Sequence, residues 1–228
     1  MFPFFFDWTM VLLLPAMALA FWAQIKVKST YHRYSEIQSR SRMTGQQAAR
    51  RILDANGLGD VRVEAVAGAL TDHYDPRTKV VALSEPVYGS NSLAALAVAA
   101  HETGHAVQHQ TGYPALALRA RLVPVAALGS NLAIPLFLIG LMIPSISWMM
   151  DLGILFFSAA VVFHLVTLPV EFDASARAIR VLANGYLAED EVKGAKKVLS
   201  AAAWTYIAAA SVALLQLVRL LLIRQSRD

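Results

Sequence analysis

Cysteine is absent from this chain of 228 residues. That excludes disulfide frameworks, thiolate zinc sites and cysteine nucleophiles, so any tightly held metal must rest on histidine and carboxylate. Charge is scarce as well. Only 16% of residues are Asp, Glu, Lys or Arg, while 57% are hydrophobic; a soluble domain averages about 25% charged. Mean hydropathy is +0.49, which points to a membrane protein. The net charge is +4. The basic residues flank apolar segments and do not interleave with aromatics on one patch, so the expected partner is the lipid bilayer, with no nucleic acid. There is no internal repeat and no low-complexity tract.

The apolar residues gather in about four segments, near 2–23, 122–143, 152–170 and 201–223, each long enough to approach or cross a bilayer. Asp7 and Pro15 interrupt the first. It has no Lys or Arg before it and Lys26 and Lys28 after it, the charge pattern of an anchor rather than of a cleaved signal peptide. The linker 144–151 has no basic residue, whereas the stretch between the first and second segments carries Lys26, Lys28, Arg33, Arg50 and Arg119 among others. Arg177, Arg180, Lys193, Lys196 and Lys197 lie between the third and fourth. The positive-inside rule places these basic stretches in the cytoplasm of a bacterial cell membrane, on a multi-pass chain. Arg224 and Arg227 conflict mildly with this, leaving open that the fourth segment is re-entrant or lies along the membrane. Arg219 within it is expected to snorkel to an interface.

In the polar region, Thr44 to Asn56 reads as an amphipathic helix, with Thr44 as N-cap and Gly57 just past its end. Val61 to Val66 alternates like a strand. Ala69 to Tyr74 is a second candidate strand, Asp75-Pro76-Arg77-Thr78 a turn, and Lys79 to Ser84 the return. Ser90 or Asn91 is a candidate cap for the next helix.

That helix carries His101-Glu102-Thr103-Gly104-His105. Four residues apart on a helix, His101 and His105 share a face and can point ring nitrogens at one zinc ion. Glu102, beside that face, can take a proton from water as a general base for peptide hydrolysis. A catalytic zinc needs a third protein ligand. His109 lies about 12 Å along the axis from His101 at 1.5 Å per residue, too far for one straight helix to chelate with all three, and is a candidate for supporting the site from outside. His164 lies within the third apolar segment, where an interhelical hydrogen bond is the expected use. Glu171 is the preferred third ligand, because the hairpin 122–170 leaves the cytoplasmic face and returns there. Asp173 is the second candidate, or else orients a histidine through its other ring nitrogen.

The fold expected is a mainly α integral membrane protein, with about four apolar segments plus a cytoplasmic zincin-like helical region carrying a small β-sheet. In chain order the expected parts are a transmembrane anchor (1–23), a cytoplasmic zincin region (24–121), a transmembrane hairpin (122–170), a cytoplasmic helix with the third ligand (171–200) and a C-terminal apolar segment with a basic tail (201–228).

Four strings, Leu70-Thr71-Asp72-His73-Tyr74-Asp75-Pro76-Arg77, Ser84-Glu85-Pro86-Val87-Tyr88, His101 to His105, and Leu168-Pro169-Val170-Glu171-Phe172-Asp173-Ala174-Ser175, resemble the YugP-type family of bacterial membrane zinc metallopeptidases. The resemblance covers nearly the whole chain and implies an integral-membrane zinc protease of the gluzincin kind. The plan is also similar to the HtpX and CAAX-prenyl protease class, whose third ligand falls on Glu171 here. Ser175 stands where that class has Asp. The strand that binds substrate backbone in that class corresponds to Ala69, Leu70, Thr71, Asp72, His73 and Tyr74. An oxyanion donor is also needed; His73 and Tyr74 are candidates, with a structural bond from His73 to Asp75 as the alternative for the former.

The function expected is hydrolysis of a protein or peptide substrate by a membrane-bound zinc endopeptidase. An intramembrane site-2-type protease fits less well, because the apolar run before His101 is too short to cross a bilayer. A non-catalytic zinc-containing membrane scaffold or adaptor is the remaining alternative. An intact Glu102 argues against it, since a structural zinc needs no base. The partners expected are a protein or peptide substrate and the lipid bilayer, with a regulatory membrane partner left open.

Overall fold

The computed structural model describes residues 8–227; Asp7 and the start of the first apolar segment lie outside them. After a 3-10 stretch, Trp8–Leu13, come α1 (Leu14–Ser35), α2 (Gly45–Ala55), β1 (Arg62–Val66), β2 (His73–Asp75), β3 (Val80–Ser84), α3 (Glu85–Tyr88), α4 (Leu93–Gln110), α5 (Pro114–Met142), α6 (Trp148–Ala183) and α7 (Glu189–Gln225). Among the described residues four helical stretches, Trp8–Ser35, Pro114–Met142, Trp148–Ala183 and Glu189–Gln225, are long and apolar enough to cross a membrane. The chain is a mainly α membrane protein with a small three-stranded sheet. It divides into two compact units. One takes the described residues of Met1–Gln24, Ala117–Pro169 and Thr205–Asp228; the other takes Ile25–Leu116 and Val170–Trp204.

The first unit is built from apolar helices that pack through small residues. A Cβ on Gly129 would lie 2.5 Å from the Phe156 carbonyl oxygen, and one on Gly153 would lie 2.7 Å from that of Ala133. Close backbone approach of this kind drives helix association where lipid is as apolar as leucine. Phe137, Leu141, Met150, Leu220 and Ile223 form its core. Leu128, Leu132, Leu155 and Leu221 face outward, as lipid-facing residues do. Arg219, expected near an interface, is buried within the unit and meets Thr9 at the end of the first span. It is 4% exposed and its Nε donates to Thr9 Oγ1 at 3.1 Å, a polar contact inside the unit. The interhelical hydrogen bond expected of His164 is not seen among the described residues; its ring meets Phe163 edge-on in its own helix.

The second unit is centred on α4. Leu93, Ala94, Ala95, Leu96, Ala97, Ala99 and Ala100 are all buried, and a helix apolar on every side is one with neighbours on every side. Its alanines let α2 and the sheet come close. The N-cap is Ser92, whose side chain accepts from the Ala95 N–H, and not Ser90 or Asn91; Ser90 supports it by donating to the Ser92 hydroxyl. The α2 helix starts at a full capping box between Thr44 and Gln47 and ends before Gly57, at φ +70°. Arg50 of α2 donates to the carbonyls of Val61 and Leu58, tying the approach to β1. The buried Glu191 accepts from the Arg40 and Ala188 N–H groups, while the Arg40 guanidinium grips Asp190. This pins the segment before α2 to the start of α7.

Strand order is β1-β3-β2, with β1 parallel and β2 antiparallel to β3. Every residue of the central strand β3 is buried. The turn expected at Asp75 is present: its carboxylate accepts from the Arg77 N–H and the Thr78 hydroxyl, and these bonds hold the carboxyl below the usual carboxylate range. The second strand is shorter than expected. Gly68 and Leu70 take positive φ, +100° and +59°, so Ala69 and Leu70 lie in a bend, Thr71 and Asp72 stay outside the strand, and only His73 to Asp75 pair. Asp72 leaves the strand to accept from the N–H and hydroxyl of Ser84.

Candidate metal centre

The site lies wholly within the second unit. His101 and His105 stand one turn apart on α4, and their rings meet edge to face at 4.8 Å between centroids. Glu171 comes from α6, the helix that resumes in this unit at Val170. Its Oε2 lies 3.2 Å from His101 Nε2 and 3.6 Å from His105 Nε2. One ligand atom from each of the three lies within 4.8 Å of the others, a cluster that could hold a metal ion. Glu171 is 2% exposed.

Gly104 explains how α6 comes this close. A Cβ there would stand 2.8 Å from the carbonyl oxygen of Ala174, one turn beyond Glu171. We expect Gly104→Ala to push the helices apart, cost about 1–3 kcal/mol of stability as overpacking does, and weaken zinc binding. Thermal unfolding and chelator competition on the same preparation check both effects.

The opposite nitrogens of the two rings are occupied. His105 Nδ1 pairs with Gln108 Oε1 at 2.9 Å, and His101 Nδ1 with Ser175 Oγ at 3.2 Å. Each ring thereby keeps Nε2 for the cluster. With no cysteine available, two imidazoles and one carboxylate are the donor set of a catalytic zinc that retains an open position. Electrostatics agree. Burial opposes charge on the His105 ring, yet its bond to Glu171 and the charge of Glu102 outweigh it and raise its proton affinity. The pocket therefore attracts positive charge.

Glu102 is 8% exposed. Burial pushes its carboxyl above the usual range, against the pull of His101 and His105. A carboxylate raised in this way is better matched to accept a proton near neutral pH.

The remaining candidates fall elsewhere. Asp173 is not in the cluster and touches neither histidine. It accepts from Gln108 Nε2 at 2.8 Å and from Arg177 Nε at 2.6 Å. His109 is exposed, its Nδ1 2.9 Å from the Tyr74 hydroxyl. His73 is also exposed, with Nδ1 2.8 Å from the Thr71 carbonyl, not on Asp75. A carbonyl only accepts, so Nδ1 carries the hydrogen. Residue reading missed Gln108 and Arg177. Their signal was there: Gln108 is three residues past His105 and Arg177 four past Asp173, spacings that share a helix face.

This combination of four membrane-length helices and a buried His-His-Glu cluster defines a membrane metalloprotein of the H-E-x-x-H type. The family profile described as "Putative neutral zinc metallopeptidase" matches residues 9–225, and the chain belongs to that family. It is 53% identical, over 93% of its length and 94% of the relative's, to the "Putative membrane protease YugP" of Bacillus subtilis. No solved structure matches it. Zinc is accordingly the metal of the family, and His101, His105 and Glu171 are a set that could hold it.

Proposed function

We propose that the chain is a membrane-bound zinc endopeptidase of the gluzincin kind, with His101, His105 and Glu171 as ligands and Glu102 as general base. The observation that carries this reading is the approach of a buried carboxylate from α6 to both histidine Nε2 atoms, beside a second buried carboxylate with raised proton affinity. Bound there, zinc would act as a Lewis acid and lower the pKa of bound water to about 7. The protein's own residues do the rest. Glu102 takes the proton of the attacking water and passes it to the leaving amine. Burial on α4 keeps its carboxylate poorly hydrated and ready to accept. Among the described residues β2 has a neighbour on one side only, and Tyr74 ties it to α4 through His109. An extended peptide pairing with that edge would be held by backbone hydrogen bonds, without its side chains being read.

The substrate is thus an extended segment of a protein or peptide. The metal-only scaffold reading leaves Glu102 unexplained, because a structural zinc has four protein ligands and no base. Cleavage of unstructured peptides by the purified chain, lost with the metal, tests the proposal.

The distribution of basic residues supports a catalytic region in the cytoplasm of a bacterial cell. The chain has no native cysteine, so single cysteines report cleanly. In intact cells, Ser145→Cys, in the exposed link between α5 and α6, should react with an impermeant maleimide. Lys196→Cys, exposed on α7, should react only after lysis. The reverse pattern overturns the orientation.

A further inference from the structure

Gln108 is a fully buried polar side chain, 0% exposed, on the apolar helix α4. Its Nε2 lies 2.8 Å from the Val170 carbonyl oxygen and 2.8 Å from Asp173 Oδ2. Its Oε1 lies 2.9 Å from His105 Nδ1. An amide can be turned over, and its orientation follows from what surrounds it. Here the surroundings leave one choice. A carbonyl and a carboxylate both accept, so the NH2 group must face them. Turned over, Oε1 would meet two acceptors in a buried site and lose both bonds, leaving buried polar groups unpaired. The amide oxygen must therefore face His105, and His105 Nδ1 must carry the hydrogen. Arg177 Nε, 2.6 Å from the same Asp173 oxygen, keeps that carboxylate charged and in place.

His101 is set differently. Its Nδ1 meets the Ser175 hydroxyl at 3.2 Å, and a hydroxyl both donates and accepts, so nothing there forces one tautomer.

We infer that Gln108 is a positioning residue that holds His105 in the Nδ1–H tautomer with Nε2 free for the metal, and that Asp173 and Arg177 act on the site only by fixing Gln108. The inference rests on the metal site proposed above. The two histidines are then unequal at Nδ1: His105 meets an oxygen that only accepts, His101 a hydroxyl that can donate or accept. Partners of this sort orient ligand rings, and their loss typically costs about 10–100-fold in metal affinity.

The test uses the purified full chain in lipid nanodiscs, with zinc affinity read by chelator competition. Gln108→Leu keeps the bulk of the side chain and removes its hydrogen bonds; it should weaken zinc binding by about 10–100-fold. Asp173→Asn should weaken it less, since the Val170 carbonyl still demands the amide hydrogens. Ser175→Ala should also cost less than Gln108→Leu. A second readout needs no variant. In the zinc-loaded wild-type chain with 15N-labelled histidine, the His105 Nδ1 proton should exchange with water more slowly than that of His101. A purely structural role for Gln108 predicts no such difference. Equal zinc affinity in wild type and Gln108→Leu overturns the inference, as does a His105 ring bound through Nδ1 or exchanging as fast as His101. If the wild-type chain takes up no zinc, the metal site itself fails; if it binds zinc and Gln108→Leu matches it, only the role of Gln108 fails.

Discussion

Glu102→Gln should leave zinc in place and reduce kcat for peptide cleavage by about 10²–10⁴-fold, the range a positioned general base supplies. Gln has nearly the shape of Glu and no basic oxygen, so the variant separates the chemistry from the packing around it. Glu102 is buried, and that burial penalises its charge. A neutral amide escapes the penalty. The thermal midpoint of the variant should therefore equal or exceed that of the wild type. Loss of turnover with zinc content and midpoint maintained assigns Glu102 to the reaction. Turnover close to wild type refutes its role as base, and turnover falling together with zinc content would make it a structural element of the site.

Removing the third ligand should have the largest effect on the metal. With Glu171→Ala only the two α4 histidines remain, and two imidazoles leave zinc half-coordinated. Zinc affinity should fall by more than the roughly 100-fold upper end seen when an outer hydrogen-bond partner is lost, with activity falling in step. Asp173→Ala serves as the comparison. Asp173 is two residues away, but its carboxylate meets Gln108 and Arg177, not the cluster. The smaller loss expected from Asp173→Ala marks the difference between holding the metal and holding a residue that orients a ligand. Metal content by mass spectrometry, together with chelator competition, decides between them. Full zinc in Glu171→Ala would remove Glu171 from the ligand set.

The features most legible in the sequence are those set by a short-range period. Histidines four apart on a helix must share a face, and the N-cap at Thr44 depends on neighbours in sequence. The membrane-length segments follow from hydropathy alone. Glu171 is further off, yet readable once two apolar segments are taken as a hairpin that returns the chain to the side it left. Features decided by tertiary contact were not legible. Leu70 adopts a positive φ that no non-glycine sequence announces, and this shortens the strand expected from Ala69 onward. The partner of Arg219 is Thr9, 210 residues away in sequence. Gln108 is ordinary in isolation. Its meaning comes from Val170 and Asp173, 62 and 65 residues on, brought near by the close approach of α6 at Gly104. Ser175, noted only as a departure from a related class, is the residue that meets His101.

The measurement that bears most directly on the proposal is a zinc titration of the stripped enzyme. Purified wild-type chain would be freed of metal by a chelator, returned to lipid, and given zinc in steps while cleavage of a quenched fluorescent peptide is followed. A single site built by His101, His105 and Glu171 predicts no cleavage without metal and a rise that saturates at about one zinc per chain. Under the same titration, Glu102→Gln should bind zinc to the same stoichiometry with cleavage at background. Cleavage that survives complete removal of metal, or a zinc-loaded wild-type chain that cuts no unstructured peptide, would contradict the account.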